Sequence, residues 1–165
     1  MSLDSIELSP AIICGLFKTS LVEVKDAVAV QSPPASSINI LGKNGKHITI
    51  VVNNSDAAFL QDEELNFLLG ILGACKLNMD DVGIINIAKH PAADYKTIVA
   101  ELDAKTVLLF DVMPEAIKLP LAFPYYQVQQ YNGLTYLSAP SLAALQHDKV
   151  EKTKLWNCLK QIFSI

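Results

Sequence analysis

Leu65, Leu68, Leu69, Leu72 and Cys75 recur at spacings of three and four, which places one apolar face on a helix beginning at Asp62. Asp62 is expected to cap that helix, with Glu63 and Glu64 in the first turn, where the positive end of the helix dipole favours carboxylates. Gly70 and Gly73 lower its intrinsic propensity, which predicts a close approach by a neighbouring backbone. The helix should end near Leu77 and Asn78, and Asp80 and Asp81 then turn the chain. Val82-Gly83-Ile84-Ile85-Asn86-Ile87-Ala88 follows almost without polar relief, as suits a strand buried on both faces of a parallel sheet. Residues 94–102 read as a short helix and Thr106-Val107-Leu108-Leu109-Phe110 as a second buried strand ending at Asp111. Strand, helix and strand at this spacing form a βαβ unit, for which a right-handed crossover is expected.

The flanking segments extend this core. Ser9-Pro10 is a helix start, and residues 11–18 should carry Ile12, Ile13, Leu16 and Phe17 on a short helix. Residues 21–30 fit either a helix or a strand, and Ser32-Pro33-Pro34-Ala35-Ser36 is a break. Two β-rich runs, residues 38–41 and 47–52, surround Lys43-Asn44-Gly45-Lys46, and Asn-Gly supplies the positive φ angles of a two-residue turn, so a β-hairpin is predicted. Residues 113–126 hold Pro114, Pro120 and Pro124 among apolar side chains and read as a long ordered loop. Residues 128–131 and 134–138 are strands around Asn132-Gly133. Ser141 opens a final helical region through Phe163, with Leu155, Leu159 and Ile162 inward and Trp156 and Phe163 alongside. The expectation is a single α/β domain spanning residues 1–165, with residues 1–35 as an N-terminal helical extension and 36–165 as the α/β core.

Composition narrows the function classes. Of the 165 residues 51% are hydrophobic and only 18% charged, against about 25% charged in a typical soluble domain. A larger buried fraction explains this, and so does a surface that meets a partner protein. The net charge of −4 gives no overall basic field, and Lys149, Lys152, Lys154 and Lys160 alternate with Asp148 and Glu151, so direct nucleic-acid binding is expected to be weak or absent. Cys14, Cys75 and Cys158 lie far apart without paired spacing and read as reduced residues on apolar faces. There is no basic leader before an apolar segment and no apolar run of about 18 residues, so a cytoplasmic protein without a membrane span is expected.

The final third carries a resemblance. Ser138-Ala139-Pro140-Ser141-Leu142, then Asp148, Lys152 and Leu155-Trp156, is similar to the end of uracil-DNA glycosylase-like domains. More narrowly it resembles the psi subunit of bacterial DNA polymerase III and its relatives. Phe67-Leu68-Leu69, Ile71-Leu72, Ala74-Cys75-Lys76-Leu77 and the strand from Val82 to Ile87 fit the same pattern, so the likeness covers roughly residues 59–163. It implies a three-layer α/β/α sandwich around a mostly parallel sheet. Active enzymes of that kind carry Gly-Gln-Asp-Pro-Tyr-His after the first central strand, and the best match here is Ala88-Lys89-His90-Pro91-Ala92-Ala93. His90 stands where the water-handling carboxylate would be, and Ala92 where a Tyr would shape the uracil pocket. The second motif, His-Pro-Ser-Pro, is matched by Ala139-Pro140-Ser141-Leu142, with Ala for the His that stabilises the departing base. The resemblance therefore implies a non-catalytic, psi-like protein-binding subunit whose partners are clamp-loader subunits. The alternative is a divergent glycosylase-like enzyme or nucleobase-binding protein using His90.

Candidate residues follow from both lines. Ligands of open α/β sheets sit beyond the carboxyl ends of strands. Lys89, His90, Asp111 and Ser141 are accordingly the candidates for a vestigial pocket, with Asp94 and Tyr95 able to gather near His90, although His90-Pro91 also reads as a routine exposed turn. No two His share metal-ligand spacing, Ser stands in no Gly-x-Ser-x-Gly context, and no Gly-rich loop follows a strand, so neither a cofactor nor a metal is expected. Gly42-Lys43-Asn44-Gly45-Lys46 superficially resembles a phosphate loop, but hairpin chemistry accounts for it. In Leu119-Pro120-Leu121-Ala122-Phe123-Pro124-Tyr125-Tyr126, prolines pre-order aromatic side chains, so Phe123, Tyr125 and Tyr126 are candidate interface anchors, or else a plug on the core. Phe17 and its helix have the same two readings, their own sheet or another protein's groove. A homodimer joined through the hairpin edge or the residue 123–126 loop is a further possibility.

Overall fold

A computed structural model describes residues 38–165, so the expected N-terminal helix, with Phe17 and Cys14, lies outside the described residues. Five strands and four α-helices follow in order: β1 (Ile48–Val52), α1 (Asp62–Ala74), β2 (Val82–Asn86), α2 (Tyr95–Leu102), β3 (Thr106–Phe110), β4 (Val128–Tyr131), β5 (Leu134–Ala139), α3 (Leu142–His147) and α4 (Lys149–Phe163). The sheet order is β2-β1-β3-β5-β4. The first four of these run parallel and β4 is antiparallel on β5.

Side chains alternate across the sheet. Ile50, Ile84, Leu108 and Leu137 point to one face, where they pack with Leu68 and Leu72 of α1, Leu142 and Leu145 of α3, and Leu155 and Leu159 of α4. Val51, Ile85, Leu109 and Tyr136 point to the other, where α2 supplies Ile98 and Leu102 and the chain after β3 supplies Ile117, Leu119 and Phe123. Helical cover on both faces is why β1 and β2 are buried at every position and largely apolar.

The predicted hairpin of residues 38–41 and 47–52 does not form. Ile48–Val52 pairs on both sides with parallel partners, Val82 to Asn86 and Thr106 to Phe110, so it has no free edge for the preceding segment. Leu41 makes only an isolated bridge to Ile84. A type I′ turn needs positive φ at both central residues. Asn44 has φ 54° but Gly45 does not join it, whereas Asn132 (53°) and Gly133 (78°) both do and make the true hairpin between β4 and β5. The Gly42–Gly45 loop instead lies against the turn before β2, with Asn44 N–H donating to Val82 O and Gly45 N–H to Asp80 O at 2.9 and 2.8 Å. Gly42, at φ 106°, is required there: a Cβ would stand 2.2 Å from Val82 O.

Smaller corrections concern helix ends. Gln61, not Asp62, is the N-cap of α1, and Glu64 reaches back to accept from Gln61 N–H at 3.3 Å. The helix stops at Ala74 because Lys76 adopts the left-handed region (φ 58°), with Leu77 N–H closing onto Leu72 O at 2.8 Å. Leu69 lies off the buried stripe and is 37% exposed. The strand expected to reach Ala88 ends at Asn86, and a 3₁₀ turn, Ile87–Lys89, begins there because Asn86 accepts from Ala88 N–H. The final helical region is split at Asp148, whose carboxylate accepts from Val150 and Glu151 N–H and starts α4. The residue 113–126 segment contains a 3₁₀ turn, Pro114–Ile117.

Candidate functional site

From β1 the chain leaves through α1 to β2 on one side, while from β3 it leaves toward β5 on the other, so the sheet's switch point lies between the carboxyl ends of β1 and β3. Asp111 and Ser141 meet there, lining a crevice with Asn53, Asn54, Glu64 and Phe110. Its volume is about 50 Å³, whereas small-molecule sites run from roughly 300 to 1,000 Å³. Several of its polar groups are already engaged. Glu64 Oε2 accepts from Asn54 Nδ2 at 3.1 Å, and Ser141 Oγ is used as the N-cap of α3, accepting from Ala144 N–H at 3.2 Å. Asp111 sits in the left-handed region (φ 57°), with its N–H donating to Ala139 O at 3.0 Å.

Lys89 and His90 are elsewhere. They follow β2, the outermost strand on that side of the sheet, and line a separate open hollow of about 440 Å³ with Asn39, Ile40 and Phe59. Lys89 Nζ donates to Ser55 O at 2.8 Å, and His90 Nε2 accepts from Asn39 N–H at 3.3 Å. Of the residues expected to gather near His90, Lys89 lines the same hollow, whereas Asp111, Asp94 and Tyr95 do not line it. Asp111 is at the switch point, and Asp94 caps α2 by accepting from Thr97 N–H and Oγ1 at 2.9 and 2.8 Å, bonds that hold its carboxyl below the usual range. Tyr95 packs edge-on against Tyr131, with ring centres 6.2 Å apart. The strand that opens the sheet is β1, so the residues after the first central strand are Asn53-Asn54-Ser55-Asp56 and not Ala88 to Ala93.

Between the two hollows lies a residue that the sequence reading passed over. Asn86, 1% exposed, accepts from Asn54 N–H at 3.0 Å and donates to the carbonyls of Asn54, Ala57 and Ala58 at 2.6, 3.0 and 3.2 Å. It was visible as the one strongly polar side chain in an apolar strand, a pattern that demands buried hydrogen-bond partners.

The aromatic segment splits. Phe123 is buried in the core beside Ile117 and Leu119 and acts as a plug. Tyr126 packs on the opposite cluster, and burial, then the adjacent Glu151 carboxylate, pushes its phenol well above the ordinary value. Cys158 donates to Tyr126 O at 3.1 Å, and burial raises the thiols of both Cys158 and Cys75. Tyr125 stays 37% exposed.

A third hollow was not anticipated. Between α1 and α4 runs a groove of about 420 Å³, walled by Phe67, Gly70, Ile71, Ala74, Leu155 and Trp156. A Cβ placed on Gly70 or Gly73 meets nothing within 4 Å among the described residues, so the expected close backbone neighbour of these glycines is absent from them.

Among the described residues no group of three or more His, Cys, Asp or Glu could hold a metal ion, and no helix is long and apolar enough to cross a membrane. No family model matches the chain, and no curated protein matches it significantly.

Proposed function

We propose that this chain is a non-catalytic protein-binding subunit of the cytoplasm. The observation that carries the reading is the small volume of the switch-point crevice. At about 50 Å³ it has room for one or two waters, taking about 30 Å³ for each, and two of its polar side chains, Asn54 and Glu64, are already bonded to each other. A flipped base needs a shaped pocket far larger than this crevice. What the molecule offers instead is the apolar groove between α1 and α4, lined by aromatic and aliphatic side chains.

The narrower reading rests on the resemblance to psi subunits and to the uracil-DNA glycosylase-like sandwich. The mostly parallel sheet with helices on both faces supports it, as does the position of Ala139-Pro140-Ser141 at the carboxyl end of β5. On that reading the chain works in DNA replication beside the clamp loader. Affinity purification of the full chain from its native cells, followed by mass spectrometry, tests it. Recovery of clamp-loader subunits is the expected result, and clean recovery of an unrelated metabolic complex overturns the replication assignment.

One observation favours a second reading. The hollow beside His90 is large enough for a nucleobase, and Phe59 lies in its wall. Titration of the protein with free bases and mononucleotides, followed by the amide and ring signals of Phe59 and His90, decides that case.

A further inference from the structure

The groove between α1 and α4 has walls of different chemistry. On α1, Phe67, Gly70 and Ala74 share one stripe, preceded in the first turn by the carboxylates of Glu63 and Glu64. On α4, Lys149, Lys152, Trp156 and Lys160 recur at spacings of three and four and so share another. Lys152 Nζ sits 5.2 Å from the centre of the Phe67 ring, and Lys160 Nζ sits 5.4 Å from that of Trp156. Neither makes an ion pair among the described residues, unlike Lys154, which pairs with Glu151 at 2.7 Å on the far side of the helix. In a chain whose net charge is −4, this is a local concentration of cations. Ammonium groups resting on aromatic faces keep their charge available to an incoming carboxylate.

Resting on the reading of the chain as a protein-binding subunit, we infer that this groove receives an acidic amphipathic helix of a partner protein. Gly70 and Ala74, one turn apart, leave room for a helix backbone to approach α1 closely, and the open space above Gly70 has the same origin. Aliphatic anchors one turn apart on the partner would enter between Phe67 and Trp156. Acidic residues flanking those anchors meet Lys152 and Lys160, which fixes orientation and speeds encounter.

The test uses the full-length protein and a fluorescein-labelled helical peptide of about 20 residues, with leucines on one face and glutamates on both flanks. A second peptide carries lysine in place of every glutamate. Fluorescence anisotropy should show the glutamate peptide binding at least about tenfold more tightly than the lysine peptide, and weakening as salt is raised. Lys152→Glu with Lys160→Glu should remove that preference. Gly70→Leu should abolish binding without loss of stability, because leucine is the better helix former and its Cβ meets nothing within 4 Å among the described residues. Equal binding of both peptides, or unchanged binding by Gly70→Leu, overturns the inference. So does a dimer in light scattering that Gly70→Leu converts to monomer, since a second copy is then the occupant. Tighter peptide binding by Phe17→Asp also overturns it, since the chain's own N-terminal segment then competes. The underlying reading fails separately: if wild-type protein recovers no partner from its native cells the chain is not a binding subunit, whereas full recovery by Gly70→Leu moves the partner to another surface.

Discussion

Asn86 and Asn54 satisfy each other in both directions, the Asn54 N–H donating to Asn86 Oδ1 at 3.0 Å and Asn86 Nδ2 donating to Asn54 O at 2.6 Å. The pair ties the end of β2 to the chain leaving β1, and the Asn54 side chain passes the linkage on to Glu64 of α1. Replacing Asn86 by Ala leaves the carbonyls of Asn54, Ala57 and Ala58 without their donor. A loss of about 2–4 kcal/mol is expected in urea-induced unfolding. A change below about 1 kcal/mol would mean that water takes over those bonds and that the loop is not held by Asn86.

Asp111 gives a prediction of the opposite sign. Its φ of 57° costs any residue with a Cβ, and its side chain lies exposed. Asp111→Gly should therefore raise stability by about 0.5–1 kcal/mol, while Asp111→Ala should lower it. Thermal melting of the two variants beside the wild type checks this. Equal melting temperatures would show that the conformation carries no strain.

No uracil should be released from single- or double-stranded DNA. His90 accepts a backbone hydrogen bond in a hollow away from the switch point, and Ala139 has no side chain able to stabilise a departing base. A release assay with labelled uracil is direct. Turnover that vanishes in His90→Ala would make His90 a substitute base and the chain an enzyme.

Tyr136 sets an alkaline limit on stability. It is fully buried in β5, and burial, reinforced by the neighbouring Tyr95 and Tyr131, pushes its phenol from 10.0 up to about 12. A folded value above the unfolded one means that the stabilising contribution is complete below pH 10 and is lost as pH rises through about 12. Its hydroxyl finds no hydrogen-bond partner among the described residues. Tyr136→Phe should thus keep or slightly raise stability at neutral pH, by no more than about 1 kcal/mol, and move the alkaline unfolding midpoint upward. Circular dichroism across the alkaline range measures it. An unchanged midpoint would assign the limit to other groups.

Short-range signals and long-range pairing divide what could be read from the chain. Thr106–Phe110 was legible to the residue, because four apolar residues behind a β-branched threonine, bounded by Lys105 and Asp111, have one stable destination in an α/β protein. The Asn132-Gly133 hairpin was legible for a similar reason: its turn and both its strands lie within a dozen residues. The helix at Asp62–Ala74 followed from its period, although its exact end depended on the left-handed turn at Lys76.

The identical signal, Asn-Gly between β-rich runs, failed at Asn44-Gly45. Whether Ile48–Val52 turns back on its predecessor or enters the centre of a sheet depends on Val82 to Asn86 and Thr106 to Phe110, more than thirty residues on. Local propensity cannot report pairing at that distance, because the deciding free energy is the burial of both faces of β1. The candidate site divides in the same way. The sequence by itself determined which residues were strand-end polar groups: Lys89, His90, Asp111 and Ser141. Only the strand order, β2-β1-β3-β5, decided that Asp111 and Ser141 meet while Lys89 and His90 stand apart. The cationic stripe of Lys149, Lys152 and Lys160 around Trp156 was written in the spacing of α4, but its alternation with acids read as an ordinary solvated face. It became an edge of a groove once packing set α4 beside Phe67 and Gly70 of α1, a relation across some eighty residues that no helical period contains.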